Sequence, residues 1–350
     1  HSSVGKTSVT LGLLRLLRQK GHAIQPFKVG PDYIDPAHHR QASGVPSYNL
    51  DSWMCSPKYI QKLFGDVMQP RQIAVVEGVM GLFDGAYPTR ERGTTAEVAK
   101  LLDLPIILVV DGSQMARSIA ALVQGFTQFD PELNFMGVIA NQVTSPRHRE
   151  LVQSALKYHV GIKLLGNLPI NANLQIKERH LGLHQSLEQS DKLYNAWAKH
   201  IDEHIDIKTI LQKTDYGKIN KAVSLKPGPQ RWSRQRAYKK FKVGIARDAA
   251  FQFCYGDTLD LIRYHSGEIS FFSVRVCFSR SQYSTVEPMT SFFSAVETMI
   301  LLSGVVVIDV MIRFGSSVAF LNRTPCFPSA QINTSPFWSP LTKPDFNRKT

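Results

Sequence analysis

The 350-residue chain is short of cysteine, and the four it has stand far apart: Cys55, Cys254, Cys277 and Cys326 form no Cys-x-x-Cys pair. That spacing argues against both a disulfide framework and a zinc site, and it fits a reducing compartment, so a cytoplasmic location is expected. A long uncharged apolar run is also lacking. The least polar late stretch, residues 299–320, holds Asp309 and Arg313, with Glu297 just outside it. Two interior charges argue against a membrane span, and no membrane partner is expected. No signal peptide is visible. Acid is scarce as well: 28 Asp and Glu stand against 41 Lys and Arg, a net charge of +13. Such an excess points to an anionic partner, and nucleic acid, nucleotide phosphates and polycarboxylates all qualify. Much of it sits in residues 226–242, which carry seven basic residues, two prolines and no acid. Trp232 and Tyr238 are too few for a base-stacking platform. A solvated linker is therefore preferred to a nucleic-acid stripe, and no nucleic-acid partner is expected.

What is there begins at once. His1-Ser2-Ser3-Val4-Gly5-Lys6-Thr7-Ser8 runs into an apolar helical pattern with Leu11, Leu13, Leu14, Leu16 and Leu17, which stops at Lys20-Gly21. Gly-Lys-Thr at a helix start is the end of a phosphate-binding loop. Gly5 lets the backbone approach phosphate oxygens, and the amides and dipole of the helix start favour their charge. Lys6 would reach the β- and γ-phosphates, and the Thr7 hydroxyl would ligate Mg²⁺. The strand that should precede such a loop is not in the sequence, so an N-terminal fragment is expected.

Downstream, short apolar runs alternate with helical patterns. Strands are expected at 23–29, 72–76, 105–110, 135–140 and 162–166, and helices near 96–102, 114–126 and 147–158. The alternation predicts a parallel sheet covered on both faces. Residues 30–36, Gly-Pro-Asp-Tyr-Ile-Asp-Pro, read as a turn rich in breakers. Gly5 and Lys6, Asp32, Glu77, Asp111 and Asn141 each fall at or just past a strand's C-terminal end. In open α/β sheets, ligands bind in the crevice outside those ends. Taken singly, each acid is equally well explained as a helix cap or a solvated loop carboxylate. A charged helical region, 186–214, closes this half, and a strand from Lys242 to Ala246 opens another.

The runs Ser2–Ser8, Lys28–Pro36, Val76–Gly85, Asp111–Ser118 and Gly137–Asn141 together resemble the cobyrinate a,c-diamide synthase family. Val243–Phe251 resembles the opening of that family's amidotransferase domain. The likeness covers roughly residues 1–272. It implies a P-loop NTPase-like doubly wound parallel sheet, followed by an incomplete class I glutamine amidotransferase-like α/β domain. The implied boundaries are 1–225 for the ligase domain, 226–241 for the basic linker and 242–350 for the rest. The implied activity is ATP-dependent amidation of the a and c carboxylates of cobyrinic or hydrogenobyrinic acid in cobalamin biosynthesis, with ammonia drawn from glutamine. ATP and Mg²⁺ are the implied cofactors. The implied partners are the corrin polycarboxylate and glutamine or ammonia, and a homodimer is allowed for. Val4, Gly5, Lys6, Thr7 and Ser8 would hold the nucleotide, and Asn141 would read the adenine edge or cap a loop. Thr7, Asp32 and Glu77 would supply oxygens to Mg²⁺. Lys28 would steady the substrate carboxylate or the γ-phosphate. Tyr33 and Asp84 would position the corrin side chain or the ammonia, with ordinary packing as the alternative for Tyr33.

The likeness stops after about Phe272. A glutaminase of this kind needs a cysteine on a glycine-flanked elbow and a later histidine base. Cys254, Cys277 and Cys326 lack those glycines, and His265 is the last histidine. Glutamine use is therefore not expected of this chain. Two other classes remain: a P-loop switch or partitioning ATPase that makes no product, and a dethiobiotin-type ligase. The Gly30–Asp35 run argues against the first, and the Val243–Phe251 strand against the second.

Overall fold

The computed structural model describes residues 4–69, 72–171, 174, 178–179, 182–183, 191–214, 241–246, 254–265, 267–272, 296–299, 309–314 and 317–320. The chain divides into two compact units, His1–Ala237 with Gln252–Leu261, and Tyr238–Phe251 with Ile262–Thr350. The basic segment 226–240, Cys277 and Cys326 lie outside the described residues.

The first unit opens with α1 (Lys6–Gln19), β1 (Ile24–Val29), α2 (Ile34–Ser43), β2 (Tyr48–Leu50), α3 (Pro57–Val67) and β3 (Ile73–Glu77). It continues through α4 (Thr95–Leu101), β4 (Ile106–Asp111), α5 (Ser118–Phe129), β5 (Phe135–Asn141), α6 (Pro146–His159) and β6 (Leu164–Leu168). A two-residue pair, β7 (Glu178–Arg179) and β8 (Gly182–Leu183), precedes α7 (Asp191–His204) and α8 (Ile207–Lys213). Local chemistry sets the boundaries. Ser56 and Ser145 cap α3 and α6 with a proline in the first turn, and Thr94 caps α4 by accepting from the Glu97 amide.

The expected strands and helices of this half are present within a few residues. Five elements of this half were not expected: α2, β2, α3 and the short pair β7 and β8. The Gly30–Pro36 stretch is not all turn, because α2 starts at Ile34 and accepts Pro36 in its first turn. There the missing proline N–H has no intrahelical partner to lose.

The strands are parallel throughout the main body, but they form two sheets, in the orders β2-β1-β3 and β4-β5-β6. Ile73 and Val75 of β3 and Ile107 and Val109 of β4 pack into one core with α1, α7 and α8. The alternate residues turn the other way: Val76 packs with α3, and Leu108 and Val110 with α5 and α6. β3 and β4 therefore lie in one layer, with helices on both faces. Their edges face each other across a cavity of about 580 Å³ that touches every residue of β3 and β4. Consecutive residues line it because it meets strand edges rather than one pleated face. Among the described residues no strand pairs with either edge.

In the second unit, β9 (Phe241–Ala246) pairs in parallel with β10 (Gly267–Phe272). The strands β11 (Val296–Met299), β12 (Asp309–Phe314) and β13 (Ser317–Phe320) form an antiparallel meander. The helix α9 (Gly256–Tyr264) begins within the first unit. There Tyr59 Oη donates to Asp257 and Tyr48 Oη to Asp260, each at 2.9 Å.

Candidate active site

The phosphate-binding loop ends as its residues require. Gly5 is left-handed at φ +94° and stands at the N-cap of α1 with no side-chain cap. A Cβ there would fall 2.4 Å from Asn141 Nδ2, so the turn admits only glycine. The amides of the first turn are free of a capping side chain, as an anion site needs. Burial, and then the nearby Lys28 charge, lower the Lys6 pKa below the ordinary lysine value. Val4 is buried, and its carbonyl accepts from Asn141 Nδ2 at 3.0 Å. Ser8 follows in the first turn of α1.

The Thr7 hydroxyl connects this loop to a buried ionic cluster. Thr7 Oγ1 donates to Glu77 Oε1 at 2.6 Å. The same oxygen accepts from Lys28 Nζ at 3.0 Å, and Glu77 Oε2 lies 2.7 Å from His39 Nε2. Lys28 also reaches Asp35 Oδ2 at 2.5 Å, Gly78 O at 3.2 Å and Asp32 Oδ2 at 3.8 Å. Glu77 is 2% exposed and Lys28 3%. Topology explains the meeting: Lys28 and Glu77 are cross-strand partners at the C-terminal ends of β1 and β3. Asp35 and His39 are four residues apart on α2, so one helix face presents both.

Burial opposes charge on Glu77, but Lys28, His39 and Thr7 outweigh it and hold its carboxyl far below the usual carboxylate range. Burial also works against Lys28, and Glu77, Asp35 and Asp32 reverse that, holding its pKa above the ordinary lysine value. Asp35 is the group that gives way: burial and the Glu77 charge push its pKa up to about 8. Three carboxyl groups share one ammonium here, so the cluster favours an incoming cation.

Among the described residues no group of three or more His, Cys, Asp or Glu is arranged to hold a metal ion. Mg²⁺ does not ask for one, since it often takes one or two protein oxygens and fills its shell with phosphate and water. The adjacent oxygens of Thr7 and Glu77 fit that mode. Asp32 Oδ1 is occupied by the Ile34 and Asp35 amides at 2.8 and 3.1 Å, which leaves Oδ2 toward Lys28.

The other expected residues fall outside this cluster. The Tyr33 ring packs on Tyr255 at a centroid distance of 4.5 Å, which favours packing for at least one of its faces. Asp84 is exposed, and its Oδ2 accepts from the Gly81 amide at 2.9 Å, closing the loop after β3. Asn141 braces the P-loop backbone, so the structure uses its amide as a loop cap. Asp111 Oδ1 accepts from the Ser113 amide at 2.8 Å, a turn-capping use. Asp35 and His39 were missed as site residues. A signal was available: a glutamate ending a buried strand needs more than one partner, and α2 offers an acid and an imidazole at helical spacing.

A loop ending in a glycine-lysine-threonine helix, set against charged strand ends of a parallel sheet, defines a nucleotide-binding α/β protein. The model of the CobQ/CobB/MinD/ParA nucleotide binding domain matches residues 1–183, and the chain belongs to that family. Its resemblance to the cobyrinate a,c-diamide synthases is borne out by relatives of that name. It is 40% identical over 275 residues to cobyrinate a,c-diamide synthase from Listeria innocua, covering 78% of this chain and 60% of the relative. It is 42% identical over 279 residues to hydrogenobyrinate a,c-diamide synthase from Brucella ovis, covering 78% and 61%. It is 38% identical over 276 residues to cobyrinate a,c-diamide synthase from Priestia megaterium, covering 78% and 58%. The chain thus spans about three-fifths of the length of these relatives.

Proposed function

We propose that the first unit is the ATP-dependent amide ligase of a cobyrinate or hydrogenobyrinate a,c-diamide synthase. The observation that carries the proposal is the Thr7–Glu77–Lys28 chain. It puts a phosphate-binding helix start within hydrogen-bond reach of a buried, ionised carboxylate and a buried ammonium. The relatives' names supply the substrate class, a corrin polycarboxylate.

A carboxylate is a poor electrophile and must be activated before ammonia attacks it. The Gly5–Thr7 amides and Lys6 hold the nucleotide phosphates. Thr7, Glu77 and Asp32 would hold Mg²⁺, which when bound would neutralise phosphate charge. The substrate carboxylate takes the γ-phosphoryl group as ADP leaves. Ammonia then adds to the acyl carbon, phosphate leaves, and a proton is released. Lys28 faces this exchange as a fixed positive charge, kept protonated by its three carboxyl neighbours. Such chemistry depends on positioning and electrostatics more than on covalent help. Tyr33 and Asp84, on the loops that follow β1 and β3, orient the substrate side chain.

The domain limits 1–225, 226–241 and 242–350, an amidotransferase-like character for the β9–β10 unit and a cytoplasmic location belong to the same proposal. Cys254 precedes α9 and is exposed, but its neighbours are Phe253 and Tyr255 rather than the glycines of a nucleophile elbow. Ammonia is therefore proposed as the nitrogen source for this chain. A partitioning ATPase is not favoured, because it has no need of the Lys28 cluster.

The test is to incubate the chain with ATP, Mg²⁺, ammonia and cobyrinic or hydrogenobyrinic acid, and to measure ADP and amidated corrin by mass. ADP and diamide formed together, with no glutamate released from added glutamine, are expected. ATP hydrolysis without amide from either corrin would leave a P-loop ATPase and overturn the ligase.

A further inference from the structure

Two loops at the C-terminal rim of the β2-β1-β3 sheet build a surface that the amidation chemistry does not use. One, residues 51–56, follows β2. The other runs from Gly78 to Thr94 after β3 and returns to its start, where the Val79 amide donates to Thr95 Oγ1 at 3.0 Å. Their bases are fixed together. Ser52 Oγ donates to Glu97 Oε2 at 2.5 Å, and the Gly93 amide donates to the same carboxylate at 2.8 Å. Asp51 Oδ1 accepts from the Trp53 and Met54 amides at 2.9 and 3.1 Å.

On this fixed base stand two exposed rings, each with a guanidinium over it. Trp53 is 43% exposed and Tyr87 41%, with centroids 5.5 Å apart. The Arg92 guanidinium lies 5.6 Å from the Trp53 ring and donates to the Trp53 carbonyl at 3.1 Å. The Arg90 guanidinium lies 5.4 Å from the Tyr87 ring. Among the described residues neither arginine makes an ion pair, and the neighbouring acid Glu91 is taken by Lys100. Two large rings left in water and two cations without carboxylates are an unusual expense unless something covers them.

We infer that this rim is a subsite for the face and peripheral carboxylates of a flat conjugated macrocycle, the corrin of the proposed reaction. Trp53 and Tyr87 give the ring system an apolar, polarisable face. Arg90 and Arg92, held by their own stacking, pair with carboxylates that are not being amidated. The rim opens at the sheet end that carries Glu77 and Lys28. A macrocycle seated there presents a side-chain carboxylate to the phosphate loop while its remaining acids stay outside. The inference rests on the ligase proposal for the identity of its ligand.

The experiment measures binding of cobyrinic acid, and of a corrin whose side chains are all amides, to the full chain with ATP analogue bound. Corrin colour in equilibrium dialysis is the readout, and thermal unfolding and ATP-analogue affinity are the fold controls. Arg90→Ala with Arg92→Ala should weaken cobyrinic acid at least tenfold and leave the amidated corrin nearly unchanged. Trp53→Ala should weaken both corrins, and Trp53→Phe should restore most of the loss. If these variants bind both corrins as the wild type does, the rim has no such role and the ligase proposal stands. If the wild type binds the ATP analogue but neither corrin, the ligase proposal falls, and the rim assignment with it.

Discussion

The two halves of the parallel layer have the same build and opposite contents. Both are three-stranded, both are parallel, and both end their strands at the same crevice. The β2-β1-β3 half ends in buried charge: Lys28, Glu77 and, from α2, Asp35 and His39. The β4-β5-β6 half ends in groups that satisfy backbone. Asp111 caps a turn and Asn141 braces Val4. Position at a strand's C-terminal end is thus permissive, not sufficient. What separates a carboxylate set in an ionic cluster from a cap is whether its oxygens go to charged side chains in the dry interior or to amides of its own loop.

Four substitutions probe that division. The largest effect belongs to Glu77→Gln, which keeps the shape and removes the charge shared by Lys28, His39 and Thr7. Amide formation should fall by at least about a hundredfold. Leaving the buried Lys28 ammonium short of this partner should cost about 3 kcal/mol of stability, read as a lower midpoint in thermal unfolding. A variant with near-wild-type turnover would make Glu77 a structural acid. Gly5→Ala comes next, since it forces a Cβ into a left-handed turn and against Asn141. Nucleotide affinity should drop tenfold or more, a cost of about 1.4 kcal/mol, measured by titration with a nucleotide analogue. Asn141→Ala removes one hydrogen bond from the loop, worth about 1 kcal/mol. It should weaken nucleotide binding several-fold and leave the rate at saturating ATP unchanged; a matching fall in that rate would put Asn141 among the reacting groups. Asp111→Asn keeps the acceptor that caps Ser113, so stability should move by no more than about 0.5 kcal/mol and turnover should not change. If this variant proves as damaging as Glu77→Gln, the two halves are chemically alike and the contrast is lost.

Much of this is legible in the sequence alone. Residues 105–110 and 135–140 are short apolar runs bounded by polar ends, and they became β4 and β5 almost as read. The Gly5-Lys6-Thr7 junction told where a helix starts. The rest failed for stated physical reasons. α2 hid among Gly30, Pro31, Asp32 and Pro36, because breakers in a first turn look like breakers in a loop. β2, at three residues, is too short to show a period. The four-residue spacing of Asp35 and His39 is a signal only once α2 is known to be a helix. The importance of His39 comes from Glu77, thirty-eight residues away, and only the packing of α2 on β1 brings them together.

The packing of α1 has a mechanical consequence. α1 lies against β3 and β4 at once, through the core that holds Ile73 and Val75 on one side and Ile107 and Val109 on the other. A ligand that engages the first turn of α1 therefore grips a part that both halves share. Nucleotide occupancy should then slow hydrogen exchange in β3 and β4, at residues that need touch no part of the nucleotide.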